Sequence, residues 1–416
     1  MEVKTGYKQT EMGVIPEDWE TPPLGALFSF KNGLNKGKEF FGYGTPIVNY
    51  MDVYGHTGIR ASDLDGRVDV NRQELDSFGV RRGDVFFTRT SETVEEVGIA
   101  SVLLEDSPDT VFSGFILRAR PKNDALIDQF KKYCFSSSIF RKQIISKSTY
   151  TTRALTNGRV LSGVLLPIPP TKAEQEAIAE ALSDADGLIE SLEQLIAKKR
   201  NLKQGAMQEL LTGKRRLPGF SGEWEVKRLG EIAELKNGYA FKSATYTMFG
   251  NFNVITIANV QDGYMDVAEC NKIDVLPRDL QSHHRLGIGD VLISMTGNVG
   301  RVCRVTAPEC VLNQRVGKLV PSNTDTPFLF LLLCQPRFLT AMMGKAKGGA
   351  QGNLSVSDIT SFMFRLPPSK TEQNAITTIL SDMDAELTAL ETKLAKARSL
   401  KQGMMQELFT GRIRLV

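Results

Sequence analysis

The chain has 416 residues, 41% of them hydrophobic and 24% charged, and its formal net charge at pH 7 is only +3. Such a length and composition indicate a globular protein of two or three domains. Basic and acidic residues nearly balance in every segment of the chain, so no segment is a polycation for nucleic acid. The longest apolar run, residues 328–334, is far below the ~20 residues that span a bilayer, and the N-terminus lacks the apolar core of a signal peptide. We therefore expect a cytoplasmic protein without a membrane partner.

The first segment, residues 1–166, is predicted to be a mixed α/β body. The run 84–88 has strand composition and residues 127–147 are typical of helix, with Gly, Asn and Asp turns between such runs. The aromatic residues Phe40, Phe41 and Tyr43 could touch a ligand, but burial is the expectation for them.

The second segment, residues 167–217, begins with a proline pair followed by Lys-x-Glu-Gln, which predicts a helix from about residue 172 to 204. Its apolar residues alternate steps of four and three, as in a coiled-coil seam. Gly205 is expected to weaken the helix near its end. A stripe of one leucine per heptad lies beside the seam, at Leu188, Leu195 and Leu202.

The third segment, residues 218–364, is predicted to be a second mixed α/β body with strands near 253–258 and 290–294 and a helical stretch near 328–343. It shares landmarks with the first body, although the sequences between them barely match. The shared landmarks are Trp19 and Trp224, Leu24-Gly25 and Leu229-Gly230, Lys31-Asn32-Gly33 and Lys236-Asn237-Gly238, and Gly83-Asp84-Val85 and Gly289-Asp290-Val291.

The fourth segment, residues 365–416, repeats the second. An ungapped alignment of residues 169–217 with 367–415 has 28 identities in 49 pairs. Each predicted helix is acidic early and basic late, so an antiparallel pair would place opposite charges together. The alternative is that each charged face is solvated and complements only its own helix dipole. The predicted spacer or partner-interface residues are Ile178, Leu182, Ile189, Leu192, Leu195, Ile196, Ile376, Leu380, Leu387, Leu390 and Leu394.

Catalytic and metal-binding motifs are missing from the sequence. It contains no phosphate-binding glycine loop, dinucleotide turn, nucleophile elbow or zinc-protease motif, and no Asn-Pro-Pro-Tyr or Asp-Pro-Pro-Tyr tetrapeptide. The five cysteines are scattered without a Cys-x-x-Cys pair, which predicts reduced core residues. The chain is therefore expected to be a non-catalytic binder without a cofactor or metal.

The twice-repeated Leu-Lys-Gln-Gly-x-Met-Gln-Glu-Leu-x-Thr-Gly-x-x-Arg-Leu, the proline pairs and the shared landmarks resemble the specificity subunit of type I restriction-modification systems. The resemblance covers the whole chain. It implies an α+β fold in which two target-recognition domains are separated by two long antiparallel coiled-coil spacer helices in a pseudo-twofold repeat. It also implies double-stranded DNA, two modification (methyltransferase) subunits and restriction (motor-nuclease) subunits as partners. The implied boundaries are 1–166 and 218–364 for the recognition domains, and 167–217 and 365–416 for the spacer repeats.

Two divergent bodies on a repeated spacer predict an asymmetric, bipartite DNA target with one half-site per body. A helix from residue 172 to 204 would be ~50 Å long, against ~34 Å for one turn of B-DNA, so the spacer is expected to set the unread gap. Polar and basic residues of predicted loops are the candidates for DNA contact. They are Lys31, Asn32, Lys36, Arg89, Thr90, Ser91, Thr152, Arg153 and Asn157 in the first body, and Lys236, Asn237, Lys242, Thr296, Asn298, Arg301, Lys345, Lys347, Gln351 and Asn353 in the second.

Two rival functions remain open from the sequence. One is a structural coiled-coil adaptor that links two protein-binding domains without sequence-specific DNA binding. The other is a self-sufficient adenine methyltransferase or nuclease, against which the missing motifs count. The second copy of the repeat ends the chain, and a faint echo of Thr-Gly near the N-terminus predicts that the end of the chain lies beside its beginning.

Overall fold

The computed structural model describes residues 5–150, 153–347 and 352–415. The chain divides into two compact units, each containing one mixed α/β body. The first unit comprises residues 1–193 and 392–416, and the second comprises residues 194–391. The first unit therefore combines the beginning of the chain with its end.

The first body contains short strands and short helices in alternation. Its helices are α1 (Leu24–Leu27), α2 (Tyr50–Tyr54), α3 (Arg72–Phe78), α4 (Asp128–Cys134), α5 (Ser138–Lys147) and α6 (Gly158–Ser162). Its strands are β1 (Tyr7–Thr10), β2 (Gly13–Pro16), β3 (Phe28–Asn32), β4 (Phe41–Val48), β5 (Gly58–Ile59), β6 (Arg67–Val68), β7 (Val85–Thr88), β8 (Thr90–Ser91), β9 (Ala100–Leu103), β10 (Val111–Phe112), β11 (Ile116–Pro121), β12 (Thr149–Tyr150) and β13 (Ala154–Leu155).

The second body follows the same plan with fewer elements. After the long helix α7 (Lys172–Leu210), its helices are α8 (Leu229–Ile232), α9 (Thr326–Leu333), α10 (Pro336–Lys347) and α11 (Val356–Thr360), and the long helix α12 (Lys370–Leu408) ends the series. Its strands are β14 (Glu225–Arg228), β15 (Ala233–Asn237), β16 (Phe252–Ile255), β17 (Lys272–Ile273), β18 (Arg285–Leu286), β19 (Val291–Ser294), β20 (Val302–Arg304), β21 (Cys310–Leu312), β22 (Val316–Pro321) and β23 (Met363–Leu366).

The two bodies share a sheet topology. The order β3-β11-β7-β9 in the first is matched by β15-β22-β19-β20 in the second, and β10-β4-β6 is matched by β21-β16-β17. The four matched strands of this sheet pair antiparallel in each body, and in the first body an additional strand, β5, pairs in parallel with β9. In the other matched sheet, β4 and β16 pair in parallel with β10 and β21. The weak sequence landmarks therefore mark a duplicated fold.

The Lys-Asn-Gly landmark has a structural cause. A Cβ atom at Gly33 would lie 2.1 Å from the carbonyl oxygen of Ser113, and one at Gly238 would lie 2.0 Å from that of Asn313. No side chain fits at such a distance, so glycine is required where β3 and β15 end against a neighbouring loop. The landmark thus serves the fold in both bodies.

The long helices α7 and α12 begin at the lysines predicted for them and continue past the expected end. Each has 39 residues, and Gly205 and Gly403 lie inside the helices rather than at their ends. The predicted end near residue 204 was therefore six residues short, since one glycine weakens a helix by only about 1 kcal/mol. The predicted helical stretches 127–147 and 328–343 are confirmed, and each consists of two helices separated by a short break.

Within each unit the two long helices run antiparallel, as their ion pairs show. From Glu193 to Asp186 the partner number rises from 398 to 401, and from Arg200 to Lys203 it falls from 391 to 384. Acidic residues of one helix therefore face basic residues of the other. Most of these side chains are exposed, so each pair stabilises the unit by only about 0.2–1 kcal/mol. The pairs are Glu193–Arg398 (2.5 Å) and Asp186–Lys401 (2.5 Å) in the first unit, and Lys199–Glu386 (2.6 Å), Arg200–Glu391 (2.6 Å) and Lys203–Asp384 in the second.

The repeated ending Thr-Gly-x-x-Arg-Leu builds a cluster in each unit that we call the clasp. In the second unit, Arg216 binds the buried Glu372 through two hydrogen bonds of 2.6 and 2.8 Å. Its guanidinium carbon lies 5.8 Å from the ring centroid of Trp224, and the indole nitrogen donates to Glu372 at 3.4 Å. The second clasp thus joins the end of α7 to the beginning of α12.

The first unit repeats this arrangement with residues from the two ends of the chain. Arg414 binds the buried Glu174, and it also pairs with Asp18 at 2.9 Å. Its guanidinium carbon lies 5.8 Å from the ring centroid of Trp19, and Tyr7 donates a hydrogen bond of 3.0 Å to the carbonyl oxygen of Gly411. The prediction that the end of the chain lies beside its beginning is confirmed.

Two further expectations are settled by burial. All five cysteines are free thiols, as predicted, and three of them are buried. The expected burial of the aromatic residues near position 40 was wrong for Phe41 and Tyr43, which are exposed.

In the described parts of the chain no single helix is long and apolar enough to cross a membrane. Helix α9 and residues 336–346 together reach the required length and hydrophobicity, but the two helices are bent against each other. Residues 328–333 of α9 lie in the hydrophobic core of the second unit.

Candidate nucleic-acid interface

A cleft lined by basic and amide side chains lies on the first unit, with a volume of about 450 Å³. We call it the basic cleft. Strand β3, the link between β7 and β8 and the start of helix α6 position its walls, and no carboxylate is among its lining residues in the described part of the chain. The predicted residues that line it are Lys31, Asn32, Arg89 and Asn157, and the structure adds Lys122 and Arg159.

Not every cation of the basic cleft is equally available. The Lys31 ammonium donates to the carbonyl and hydroxyl oxygens of Ser77 at 2.6 and 2.7 Å, and burial lowers the pKa of Lys31 below its ordinary value. Asn157 caps α6, because its side-chain oxygen accepts from the amide of Val160 at 3.0 Å. Arg159 is exposed and Arg89 is half-buried, so these two guanidinium groups are the better candidates for phosphate contact.

A second cleft of about 390 Å³ on the same unit combines polar and aromatic side chains, and we call it the aromatic cleft. The predicted residues Thr90, Ser91 and Arg153 line it. The structure adds Tyr50, Met51, Tyr54, Glu92, Glu96 and Phe115.

Backbone contacts place the two clefts next to each other. Arg89 of the basic cleft donates its amide to the carbonyl of Phe115 in the aromatic cleft at 3.3 Å. Residues 89–91 therefore pass from one cleft into the other. A surface with cations on one side and hydrogen-bonding and aromatic groups on the other can position a polyanion and contact its bases.

Glu96 organises the aromatic cleft. Its carboxylate accepts hydrogen bonds from Tyr54 and Ser91, both at 2.8 Å, and these bonds lower the pKa of Glu96 below its ordinary value. Ser91 is therefore engaged inside the cleft, whereas Arg153 is exposed. A carboxylate at this position repels phosphate, so a nucleic-acid contact here would be to bases.

Several other predicted cations are held by neighbours inside their own unit. The Lys36 ammonium pairs with Glu74 at 2.7 Å, and Lys236 pairs with Glu234. Lys345 donates to the carbonyl oxygen of Asp358 at 2.6 Å. The carboxylates neutralise the charges of Lys36 and Lys236, and the carbonyl bond holds the ammonium of Lys345 against its own unit.

The remaining predicted residues of the second unit lie mostly on exposed turns. Asn237, Lys242, Asn298 and Asn353 are exposed and Thr296 is half-exposed. Arg301 donates to the side-chain oxygen of Gln261 at 2.6 Å. Thr152 and Gln351 lie outside the described residues, and Lys347 ends helix α10.

Sequence reasoning missed the aromatic residues of the first unit. Phe115, Met51 and Tyr54 are exposed large side chains beside residues that were predicted. Only Phe115 carried a signal, because it follows Ser-Gly immediately before β11, where a turn was to be expected.

The predicted spacer residues divide by burial. Those near the beginning of each long helix pack in the core of their own unit, whereas Leu188, Leu195 and Leu202 of α7 are exposed. The buried members can support the spacer but cannot contact a separate subunit. The buried residues are Ile178, Leu182, Ile196, Ile376, Leu380 and Leu387, and the half-buried ones are Ile189, Leu192, Leu390 and Leu394.

The comparisons with known proteins agree with one another. The family model for the type I restriction modification DNA specificity domain matches twice, at residues 16–198 and 221–397. A putative type I restriction enzyme specificity subunit, MjaX of Methanocaldococcus jannaschii, is 25% identical over 98% of this chain and 97% of its own.

Solved structures of low sequence identity share the fold. The S subunit of a type I restriction-modification system from M. genitalium matches with a TM-score of 0.56 and 17% identity, over 98% of both chains. The HsdS subunit from Thermoanaerobacter tengcongensis matches with a TM-score of 0.53 and 19% identity, over 96% of this chain and 98% of that one.

Proposed function

Because the chain belongs to the type I restriction-modification DNA specificity family, as a non-catalytic specificity subunit, we propose that it recognises an asymmetric bipartite DNA target with one half-site per unit. The observation that carries this proposal is the contrast inside the duplication. The sheet order is the same in both bodies, and the spacer segments share 28 of 49 residues, but the loops differ. Equal scaffolds with unequal loops suit two half-sites of different sequence.

We place the DNA contacts of the first unit in the two adjacent clefts. The basic cleft would hold the backbone through Arg89 and Arg159, which positions the domain without selecting a sequence. The aromatic cleft would contact base edges. This division is supported by charge, because the cleft that contains Glu92 and Glu96 repels phosphate, whereas carboxylates accept hydrogen bonds from the amino groups of bases.

We propose that the long helices set the unread gap between the half-sites. Each helix contributes residues to both units, since α7 continues past residue 193 and α12 past residue 391. A helix of 39 residues is ~58 Å long at ~1.5 Å per residue. Matched insertions test the idea: seven residues after Glu193 and seven after Glu391 keep the apolar period and lengthen both helices by ~10 Å. The preferred gap should grow by about three base pairs, and an unchanged gap would refute the role of the helices as a ruler.

The exposed leucine stripe of α7 supports docking of partner subunits. This stripe consists of Leu188, Leu195 and Leu202, which are seven residues apart and exposed. An exposed apolar face of this kind is typical of a surface on which helices of a partner protein pack. We propose that the modification (methyltransferase) subunits dock along the spacer and that the restriction (motor-nuclease) subunits join the resulting complex.

The alternative of a structural adaptor is tested by binding. The chain is co-expressed with its modification subunit, and fluorescence anisotropy follows binding to a pool of duplexes from which bound sequences are recovered. Enrichment of a two-part motif is the expected result. Binding without any enriched sequence would favour the adaptor.

A further inference from the structure

Each body interrupts one strand ladder at the same place with a protruding loop, and we call these the bulge loops. In the first unit, Phe41 and Thr45 both pair with Val68, which leaves residues 42–44 outside the ladder, and we count the flanking Phe41 with this loop. In the second unit, Thr247 and Asn253 both pair with Lys272, which leaves residues 248–251 outside. The two loops therefore interrupt the pairing of β4 with β6 and of β16 with β17, which hold equivalent places in the two bodies. Bulges of this kind re-aim side chains and are found next to functional sites.

The bulge loops carry large apolar side chains into solvent. Met248 is 82% exposed and Phe249 is 89% exposed, while Tyr43 is 54% and Phe41 37% exposed. A single exposed apolar residue needs no explanation. Two adjacent side chains that are more than four-fifths exposed, matched by an aromatic pair at the equivalent place, indicate an interaction site.

The backbone of each loop lies close against the neighbouring strand. A Cβ atom at Gly44 would come within 2.8 Å of the carbonyl oxygen of Val68, and one at Gly250 within 2.6 Å of the carbonyl carbon of Ile273. The amide of Thr247 also donates to the carbonyl of Lys272 at 2.9 Å. The apolar side chains are thus presented on a fixed backbone, which limits the entropy lost when they are buried by a ligand.

Charge and sequence favour DNA over a protein as the ligand. Residues 242–255 contain no Asp or Glu, and Lys242 is exposed near the second loop, so this segment does not repel a polyanion. Residues 40–48 also contain no Asp or Glu, although the exposed Glu39 precedes them. The loops also differ in sequence, Phe-Gly-Tyr-Gly against Met-Phe-Gly-Asn. A partner subunit that docks on both units would meet similar surfaces, as the spacer repeats provide, whereas different half-sites would meet different ones.

We propose that the bulge loops are wedges that insert apolar side chains into the DNA base stack, Phe249 with Met248 in the second half-site and Tyr43 with Phe41 in the first. The inference rests on the proposed DNA-reading function. It adds a second means by which the chain selects its target, namely the ease with which a DNA sequence can be deformed. Unstacking a base step is easiest at flexible pyrimidine–purine steps. Each wedge therefore selects such a step in or beside its half-site, in addition to any hydrogen bonds to base edges.

The test uses the full chain in complex with its modification subunit and duplexes carrying the recovered target. In separate duplexes, 2-aminopurine replaces single bases in and beside the first or the second half-site, but not an adenine that is methylated, whose own movement would obscure the signal. Binding of the unaltered complex is expected to raise 2-aminopurine fluorescence at one step of each half-site. The double variant Met248→Ala/Phe249→Ala should abolish that rise and weaken target binding about tenfold, while the signal at the first half-site persists.

The control variant is Ile288→Ala, which removes an exposed apolar side chain of the same unit outside the bulge loop and should leave both signals unchanged. The wedge is overturned if the double variant keeps the fluorescence rise and the affinity. It is also overturned if the variant loses only its binding to the modification subunit, since the loop would then be a protein-docking surface. Absence of sequence preference in the unaltered complex would instead reject the proposed function itself.

Discussion

Replacing Arg414 by alanine should destabilise the first unit alone. The substitution leaves the carboxylate of Glu174 buried without its ion-pair partner, removes the guanidinium that lies against Trp19, and also frees Asp18. Breaking a buried ion pair by removing one partner costs about 3–5 kcal/mol. Because Arg414 and Asp18 are partly exposed, solvent recovers some of this, and we expect a loss of about 2–3 kcal/mol.

The chain supplies its own reporters for this measurement. It has two tryptophans, one in each clasp, so Trp224→Phe leaves Trp19 to report the first unit and Trp19→Phe leaves Trp224 to report the second. With a urea dependence of about 2–3 kcal/mol per molar, Arg414→Ala should lower the midpoint of the Trp19 transition by about 1 M. The Trp224 transition should stay where it is.

A matched control lies two residues away. Arg412 is exposed and pairs only locally, with Glu407 at 3.4 Å, so Arg412→Ala should change either midpoint by less than about 0.5 M. In the second unit, Arg216→Ala should mirror the effect through Trp224, with the exposed Arg215 as its control. The reasoning is refuted if Arg414→Ala leaves the Trp19 midpoint at the position of the Arg412 control.

Three further predictions concern charge. Replacing Arg89 and Arg159 together by alanine should lower the slope of log affinity against log salt concentration by about 0.9 for each lost phosphate contact. In salt-dependent anisotropy, binding to target and non-target duplexes should weaken equally. An unchanged slope would show that the phosphate contacts lie elsewhere. Arg200→Glu should lower the free energy of unfolding by about 0.5 kcal/mol, and Glu391→Arg in the same chain should restore it, as measured by urea unfolding. Additive losses in the double variant would show that the two side chains do not interact. Arg414 lowers the pKa of Asp18 below its ordinary value. The stability of the wild type over Asp18→Asn, measured as melting temperature, should therefore be full above about pH 4 and be lost as the pH falls through the lowered pKa. A stability difference that persists in acid would contradict the pairing.

The duplication, the helices and their direction could be predicted because they leave periodic or repeated signals. Apolar steps of four and three placed α7 and α12, and the acidic-to-basic order predicted the antiparallel ion pairs such as Glu193–Arg398. The helix ends could not be placed as accurately. Gly205 destabilises the helix by only a small amount, whereas residues 206–210 gain more by packing on the hydrophobic core of the second unit.

The surface could be predicted only in part. Candidate loops were found by their polar residues, and four of those residues line the basic cleft. Which cations stay available depends on contacts that no local pattern encodes, such as the Ser77 oxygens that hold Lys31, 46 residues away. The exposure of Tyr43 was missed for the same reason, since a bulge against Val68 is set by strand pairing rather than by hydrophobicity.

The claim that each unit reads its own half-site is tested most directly by sequencing the DNA that this chain directs its modification subunit to methylate. We predict an asymmetric two-part motif with one methylated adenine in each part and an unread gap of several base pairs. A chimaera in which another family member's body replaces residues 218–364 should change the second part of the motif and keep the first. A palindromic or uninterrupted motif, or a chimaera that changes both parts together, would contradict the claim.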